Sequence, residues 1–110
     1  MWRVRDRASF RALATGRRRR RGPLTVTTAV GATMDPPRVA FSIGRHVGNA
    51  VARNRVRRQL RAVVRSEHEL LHPGRIYLIS AAPRATTSTY GDLRDTLRAI
   101  LIDLDADGTP

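Results

Sequence analysis

Residues 38–61 have the sequence RVAFSIGRHVGNAVARNRVRRQLR, and this stretch decides the fold. Its first six residues place apolar side chains at every second position, the pattern of a β-strand. After a connector with two glycines, Asn49 is placed to cap a helix predicted over residues 50–68. At 100° per residue, arginines gather on one face of this helix, and the opposite face holds Ala52, Val56, Leu60 and Val63. The stretch therefore predicts a strand followed by a helix with one buried and one cationic face.

The residues before this stretch predict a short helix, an arginine-rich loop and a strand. Residues 2–14 form a basic segment that Gly16 is placed to end. The five arginines of 17–21 precede a Gly-Pro pair and are interpreted as a solvated loop, either flexible or in contact with RNA. Residues 24–30 are rich in valine and threonine, which favours a strand, and the strand at 38–43 is expected to run antiparallel to it.

The residues after the stretch predict one more strand and a terminal helix. Residues 75–80 are apolar enough for a central strand. The spacing of Thr89 and Asp92 is similar to a capping box and starts a last helix, and residues 105–110 are expected to fray. The order α-β-β-α-β-α predicts an α+β fold, a two-layer sandwich of helices on a small mixed sheet, with residues 1–110 as a single domain.

The charge of the chain is large and unevenly distributed. All 21 basic residues are arginine, against nine acids, which gives a formal net charge of +12. Residues 1–66 hold 17 arginines and two aspartates, a net of +15, whereas residues 67–110 hold four arginines and seven acids, a net of −3. The electrostatic field of such a charge distribution attracts a polyanion, and nucleic acid is the expected partner. With no cysteine and no apolar run of ~18 residues, disulfides and thiolate metal sites are excluded, and no membrane segment is expected.

The sequence offers no recognisable catalytic or metal-binding set. His68 and His72 are four residues apart, but no third ligand follows at metal spacing, so a solvated helix end is the favoured interpretation. A nuclease that acts without RNA would need acids grouped around metal ions. The acids here cluster between 92 and 107, where surface charge is favoured. We therefore expect no catalytic residue and no metal site in the protein itself.

The segment at 50–61 closely resembles the signature of the bacterial ribonuclease P protein family, an Arg-Asn-Arg helix entered through a Gly-x-Ala-Val step. Here the step is GNAV at 48–51 and the triplet is RNR at 53–55. Further matches follow the family's order along the chain and extend the resemblance to nearly its whole length: Phe10, Gly16-Arg17, Val39–Phe41, Ile76–Ile79 and Tyr90-x-x-Leu93.

The resemblance implies a role in tRNA maturation. In this family the RNA subunit is the catalyst: it uses Mg²⁺ to hydrolyse one phosphodiester of precursor tRNA and release the 5′ leader, and the protein alone is inactive. The implied contacts with the catalytic RNA come from Arg45, Arg53, Asn54, Arg55, Arg57, Arg58, Arg61 and Arg65. A cleft between the sheet and the first helix would hold the single-stranded leader through Phe10, Arg17 and Thr27. The resemblance also implies a fold like domain 2 of ribosomal protein S5 with a left-handed strand-helix-strand crossover, a bacterial cytoplasmic location and no obligate protein partner.

Two other functions fit parts of the sequence. A structural RNA-binding protein of the ribosomal type could share a basic α+β fold, but it has no reason to contain the string at 48–55. A DNA-binding regulator would place the helix from residue 50 in the major groove. Helices that read bases usually mix Asn, Gln and Ser among the arginines, and no helix-turn-helix partner precedes this helix.

Overall fold

The computed structural model of the chain describes residues 2–3, 7–31 and 35–107. Three helices accompany one sheet in these ranges. The strands are β1 (Trp2–Arg3), β2 (Arg17–Arg21), β3 (Leu24–Val30), β4 (Arg38–Ser42) and β5 (Arg75–Ala81). The helices are α1 (Arg7–Ala14), α2 (Ala50–Ser66) and α3 (Tyr90–Asp107), and short 3-10 turns lie at Arg45–Val47, His68–Leu70 and Pro83–Thr87. No helix in the described ranges is long and apolar enough to cross a membrane.

The sheet has the strand order β1-β4-β5-β3-β2 and is mixed. β5 lies at its centre, as predicted, antiparallel to β3 and parallel to β4. β3 and β4 therefore run antiparallel to each other, as predicted, but they are not neighbours, because β5 lies between them. β4 and β5 can be parallel because the segment between them contains α2 and is long enough to return the chain in the same direction. The α+β class with a small mixed sheet is confirmed, and the hand of this crossover stays a prediction.

The arginine run forms an edge strand, so the prediction of a loop is wrong. β2 pairs antiparallel with β3 along its whole length. The two strands are joined by Gly22 and Pro23, and the φ of Gly22 is +54°. A positive φ followed by the negative φ of proline is the combination of a type II′ turn, which matches the twist of a hairpin. In the sequence, the Gly-Pro pair at 22–23 is the feature that indicates this hairpin. Charged side chains on the edge also discourage pairing with other proteins.

The N-terminal helix is shorter than predicted. It begins at Arg7, and residues 2–3 instead form β1, which pairs parallel with β4. Gly16 follows the helix, but not as a left-handed cap, because its φ is not positive. A Cβ added there would lie 2.4 Å from the backbone oxygen of Thr28. Glycine is therefore needed where the chain leaving α1 passes close to β3.

Side-chain caps begin the other two helices where the sequence predicts them. Asn49 Oδ1 accepts a hydrogen bond from the backbone N of Ala52 at 2.9 Å, at the start of α2. Thr89 Oγ1 accepts from the backbone N of Asp92 at 3.1 Å, and Asp92 Oδ2 accepts from the backbone N of Thr89 at 3.3 Å. The capping box is thus present with aspartate in place of glutamate. α2 ends two residues earlier than predicted, and α3 continues to Asp107, into the segment expected to fray.

The two faces of the sheet are covered differently. α2 and α3 pack on one face, the core face, whose fully buried side chains include Leu24, Val56, Leu60, Ile79, Leu93, Leu97 and Ile100. On the other face, Leu13 of α1 packs against Ile76, surrounded by small and half-buried apolar side chains. The predicted two-layer sandwich holds for α2 and α3, and α1 adds a partial third layer. We call the face that α1 partly covers the open face.

Candidate RNA-binding surface

α2 turns its cationic side away from the core. Its side chains Val56, Leu60 and Val63 are buried, as the periodicity predicted. On the opposite side, the exposed residues are Asn54, Arg55, Arg58, Arg61 and Arg65, with Arg53 and Arg57 half-buried at the margin. We call this set the α2 arginine face. The 17 residues of α2 include no acid, so nothing within the helix neutralises it.

Four arginines of the α2 arginine face keep their hydrogen-bonding groups available. Arg55, Arg58, Arg61 and Arg65 have no side-chain hydrogen bond or ion pair within the described part of the chain. Arg57 Nη1 donates only a long hydrogen bond, 3.4 Å, to Asn54 Oδ1. Like charges at these spacings repel one another, which costs a few tenths of a kcal/mol per pair. Each guanidinium carries five N–H donors and can bind a phosphate through two of them.

Arg53 differs from its neighbours because part of it is buried. Its Nε atom is shielded from solvent and has no hydrogen-bond partner in the described residues. Leaving a buried donor unpaired costs about 1–3 kcal/mol. Its position at the border between the two sides of α2 predicted a partly buried stem, and the structure agrees. Arg45, the remaining predicted contact, is exposed in the 3-10 turn that immediately precedes α2.

The residues predicted to bind the leader do not all share one surface. Thr27 lies on the open face and is 5% exposed. Arg17 pairs with Thr28, whose side chain belongs to the core-facing side, and Arg18 pairs with Thr27. Because side chains alternate along a strand, Arg18, and not Arg17, accompanies Thr27 on the open face. Phe10 lies in α1, and its side chain is outside the described residues.

Two rows of paired residues cross the open face next to Ile76, and Ala40 and Leu78 of the nearer row pack against the cluster of Leu13 and Ile76. The register places one row as Ser42, Ser80, Thr25 and Arg20, and the next as Ala40, Leu78, Thr27 and Arg18. Both rows end in an exposed arginine on β2. Sequence reasoning missed these rows because it treated 17–21 as a loop and did not predict that β5 lies between β3 and β4.

The two histidines predicted to be non-ligating have different partners. His68 Nδ1 lies 3.0 Å from the backbone oxygen of Arg65, and His72 Nε2 lies 2.9 Å from Asp105 Oδ1. The backbone N of His72 donates to Tyr77 Oη at 2.9 Å, and burial raises the pKa of this tyrosine despite that hydrogen bond. Across 2–3, 7–31 and 35–107, no three His, Asp or Glu side chains form a group that could hold a metal ion.

Comparison with known proteins gives a consistent result. The family model described as Ribonuclease P matches residues 1–105. A ribonuclease P protein component from Nocardioides is 37% identical over 110 residues, covering 97% of this chain and 94% of that protein. The one from Thermobifida fusca is 39% identical over 107 residues, covering 90% of this chain and 73% of that protein.

Solved structures agree in fold. The RNase P protein of Staphylococcus aureus superposes with a TM-score of 0.82 at 21% identity, over 96% of both chains. The RNase P protein of Thermotoga maritima gives 0.81 at 19% identity, over 96% of this chain and 99% of that one.

Proposed function

This chain belongs to the ribonuclease P protein family, and from that premise we propose that its α2 arginine face binds the catalytic RNA of the holoenzyme. The chain is thus the protein component of an endoribonuclease that processes the 5′ ends of tRNAs, and an RNA is its partner. The observation that carries the proposal is a 17-residue helix that contains no acid and has on one side exposed arginines without partners among the described residues.

Binding through the α2 arginine face is expected to follow the RNA backbone. The deep, narrow major groove of A-form RNA does not admit a helix, so contacts should fall on phosphates and sugars. Arginines three and four residues apart lie about 5–6 Å from one another on a helix and can engage neighbouring phosphates. Binding of this kind recognises the shape of a folded RNA and should weaken steeply as salt increases.

The leader of precursor tRNA is proposed to lie on the open face. Phe10 belongs to the helix that packs on that face through Leu13, whereas Thr27 is 5% exposed and offers little surface to the leader. Aromatic side chains stack on bases without strong sequence preference, which suits a leader of variable sequence. The catalytic RNA would supply the Mg²⁺ chemistry, and the protein would hold the RNA and the leader in position. Location in the bacterial cytoplasm and the absence of an obligate protein partner remain predictions.

A reconstitution assay tests the α2 assignment. The protein is combined with the ribonuclease P RNA of the same organism, and cleavage of a precursor tRNA is followed at low Mg²⁺. The test variant is Arg57→Ala/Arg58→Ala/Arg61→Ala. A matched control, Arg84→Ala/Arg94→Ala/Arg98→Ala, removes the same charge from exposed sites outside α2. Melting curves of both variants show whether either one has lost its fold.

The wild type and the control should restore cleavage, and the α2 variant should not. The affinity of the α2 variant for the catalytic RNA should also depend less on salt, because each lost phosphate contact removes ~0.9 from the slope of log K against log salt on a duplex. If the folded α2 variant restores cleavage as well as the control does, the helix is not the RNA-binding surface. If the wild-type protein has no effect on the RNA, the proposed assembly is wrong.

A further inference from the structure

The most exposed large apolar side chain among the described residues lies in α2. Val51 is 78% exposed, against 65% for Val30 and 48% for Ile102, the other two large apolar side chains that are exposed in the described ranges. An isolated exposed apolar residue has no significance of its own. Val51 differs from the other two in its position, since it belongs to the helix that carries the α2 arginine face.

Val51 lies in the middle of the α2 arginine face, at its N-terminal end. At 100° per residue, Arg58 is about 20° to one side of it and Arg55 about 40° to the other. With a rise of ~1.5 Å per residue, the two arginines follow Val51 along the helix axis by about 10 Å and about 6 Å. Both are exposed and have no side-chain partner among the described residues. An RNA bound to these two guanidinium groups therefore also lies close to Val51.

The fold of the free protein gives no reason for a valine at this position. Val51 adds little to the core, because most of its surface is exposed. Valine forms helices less well than alanine or arginine, since its branched side chain loses rotamer freedom in a helix. A hydrophobic staple would pair the residue before the N-cap with the fourth helical residue, here Gly48 and Arg53, and does not include Val51. The side chain is therefore available for contact with a partner.

RNA exposes the apolar faces of its bases only where these are not paired and stacked. In a duplex the bases cover one another, and the accessible minor groove displays 2′-hydroxyls and base edges. Unpaired bases in loops and bulges expose their faces, which proteins bind with aromatic rings or guanidinium planes, and apolar side chains also insert against bases. Val51, with Arg55 beside it, offers an apolar surface and a guanidinium plane in one place.

We propose that Val51 packs against the face of an unpaired base of the catalytic RNA, while the α2 arginine face holds phosphates around that base. The inference deepens the proposed function and rests on it, because it requires α2 to bind the catalytic RNA. The arginines can bind the backbone of any RNA, but the contact made by Val51 needs an exposed base. Val51 therefore makes α2 select a folded RNA over a plain duplex.

Equilibrium binding of the full chain to two RNAs tests this role. One is the ribonuclease P RNA of the same organism, and the other is a fully paired duplex, whose bases are covered along its length. Val51→Ala removes two methyl groups from α2, and Val51→Arg replaces the apolar side chain with a cation. The matched control, Val30→Ala, removes the same two groups from an exposed site on β3. Melting curves show whether each variant is folded.

Val51→Ala should bind the catalytic RNA about tenfold more weakly, as expected for the lost burial of two methyl groups, and should bind the duplex as the wild type does. The slope of log K against log salt should not change, because no phosphate contact is lost. Arg58→Ala should reduce that slope by ~0.9 on the duplex. Val51→Arg should bind the duplex more tightly and should lose selectivity for the catalytic RNA, whereas Val30→Ala should match the wild type on both RNAs.

The inference alone is wrong in three cases. Wild-type affinity of Val51→Ala for the catalytic RNA would mean that the side chain makes no contact. Equal losses on the two RNAs would mean that Val51 contacts the sugars of a duplex and not an unpaired base. Wild-type selectivity of Val51→Arg would mean that charge alone determines binding. If the Arg57→Ala/Arg58→Ala/Arg61→Ala variant binds the catalytic RNA as tightly as the wild type, α2 is not the binding surface, and the proposed function and the inference fail together.

Discussion

At Gly16 the backbone of β3 leaves no room for a Cβ atom. An added Cβ would lie 2.4 Å from the backbone oxygen and 3.1 Å from the carbonyl carbon of Thr28, and both atoms are held in the β2–β3 ladder. We expect Gly16→Ala to lower the free energy of unfolding by about 1–3 kcal/mol, the usual cost of overpacking.

Gly91→Ala is the matched control for Gly16→Ala. At Gly91, in the first turn of α3, the added Cβ would meet only Thr89 Oγ1 at 3.9 Å. This substitution should raise the free energy of unfolding by up to about 1 kcal/mol, because alanine favours the helix over glycine. Urea denaturation measures both changes, and equal effects would disprove the close-approach explanation.

Arg53 is expected to lower the stability of the free protein while it contributes to RNA binding. Its buried Nε lacks a partner among the described residues, so the free protein bears the cost of an unpaired donor. Arg53→Met keeps an apolar stem and should leave the free energy of unfolding unchanged or raise it by up to about 1 kcal/mol. The same substitution at exposed Arg58 should leave stability unchanged. Both variants should bind the catalytic RNA more weakly. Thermal denaturation that shows Arg53→Met to be less stable than wild type would contradict this account.

At the scale of elements, the helices were predictable and the strand pairing was not. Caps and periodicity act between residues three or four apart, so Asn49 and the Thr89–Asp92 box predicted the starts of α2 and α3. The pairing of β4 with β5 depends on contacts across more than thirty residues, and no local pattern encodes it. Residues 17–21 have a composition typical of loops, but hairpin pairing with β3 makes them a strand.

The same distinction applies to the candidate site. The α2 arginine face was predictable because helical spacing alone places its members together. The rows that end at Arg18 and Arg20 bring together residues from four strands, so they emerged only with the sheet register. Arg17 was assigned to the leader through the resemblance, and its position opposite Thr28 depends on that register as well.

The N-cap of α2 supports a prediction at this scale. Asn49→Ala removes the acceptor of the Ala52 backbone N and should lower the free energy of unfolding by about 1 kcal/mol. Asn49→Ser should retain most of this stability, because serine also caps helices well. Asn54→Ala, at an exposed position within α2, is the control and should not destabilise the protein. Chemical denaturation of the three variants is the measurement, and an equal loss for Asn49→Ser and Asn49→Ala would contradict the capping role.

The molecule as a whole segregates its charge. The residues up to 66, which include β2 and α2, carry a net +15, and the remainder, which includes α3, carries −3. α3, which exposes Asp92, Asp95, Asp103 and Asp105, packs against both β2 and α2. This arrangement favours RNA approaching by α2 or by the open face, and it leaves strong repulsion within the free protein.

That repulsion predicts that anions stabilise the protein in the absence of RNA. Sulfate can bind where arginines converge, and a ligand specific to the folded state stabilises it by RT ln(1 + [L]/Kd). At ten times Kd this is about 1.4 kcal/mol per site, and each kcal/mol raises the melting temperature by roughly 4–8 °C for a domain of this size. Circular dichroism melting with sodium sulfate, compared with sodium chloride at equal ionic strength, separates binding of sulfate from screening of charge.

The melting temperature of the Arg57→Ala/Arg58→Ala/Arg61→Ala variant should rise less in sulfate than that of the wild type, because the variant lacks a cluster of arginines to bind the anion. An unchanged wild-type melting temperature in sulfate would show that repulsion among the arginines does not limit the stability of the free fold.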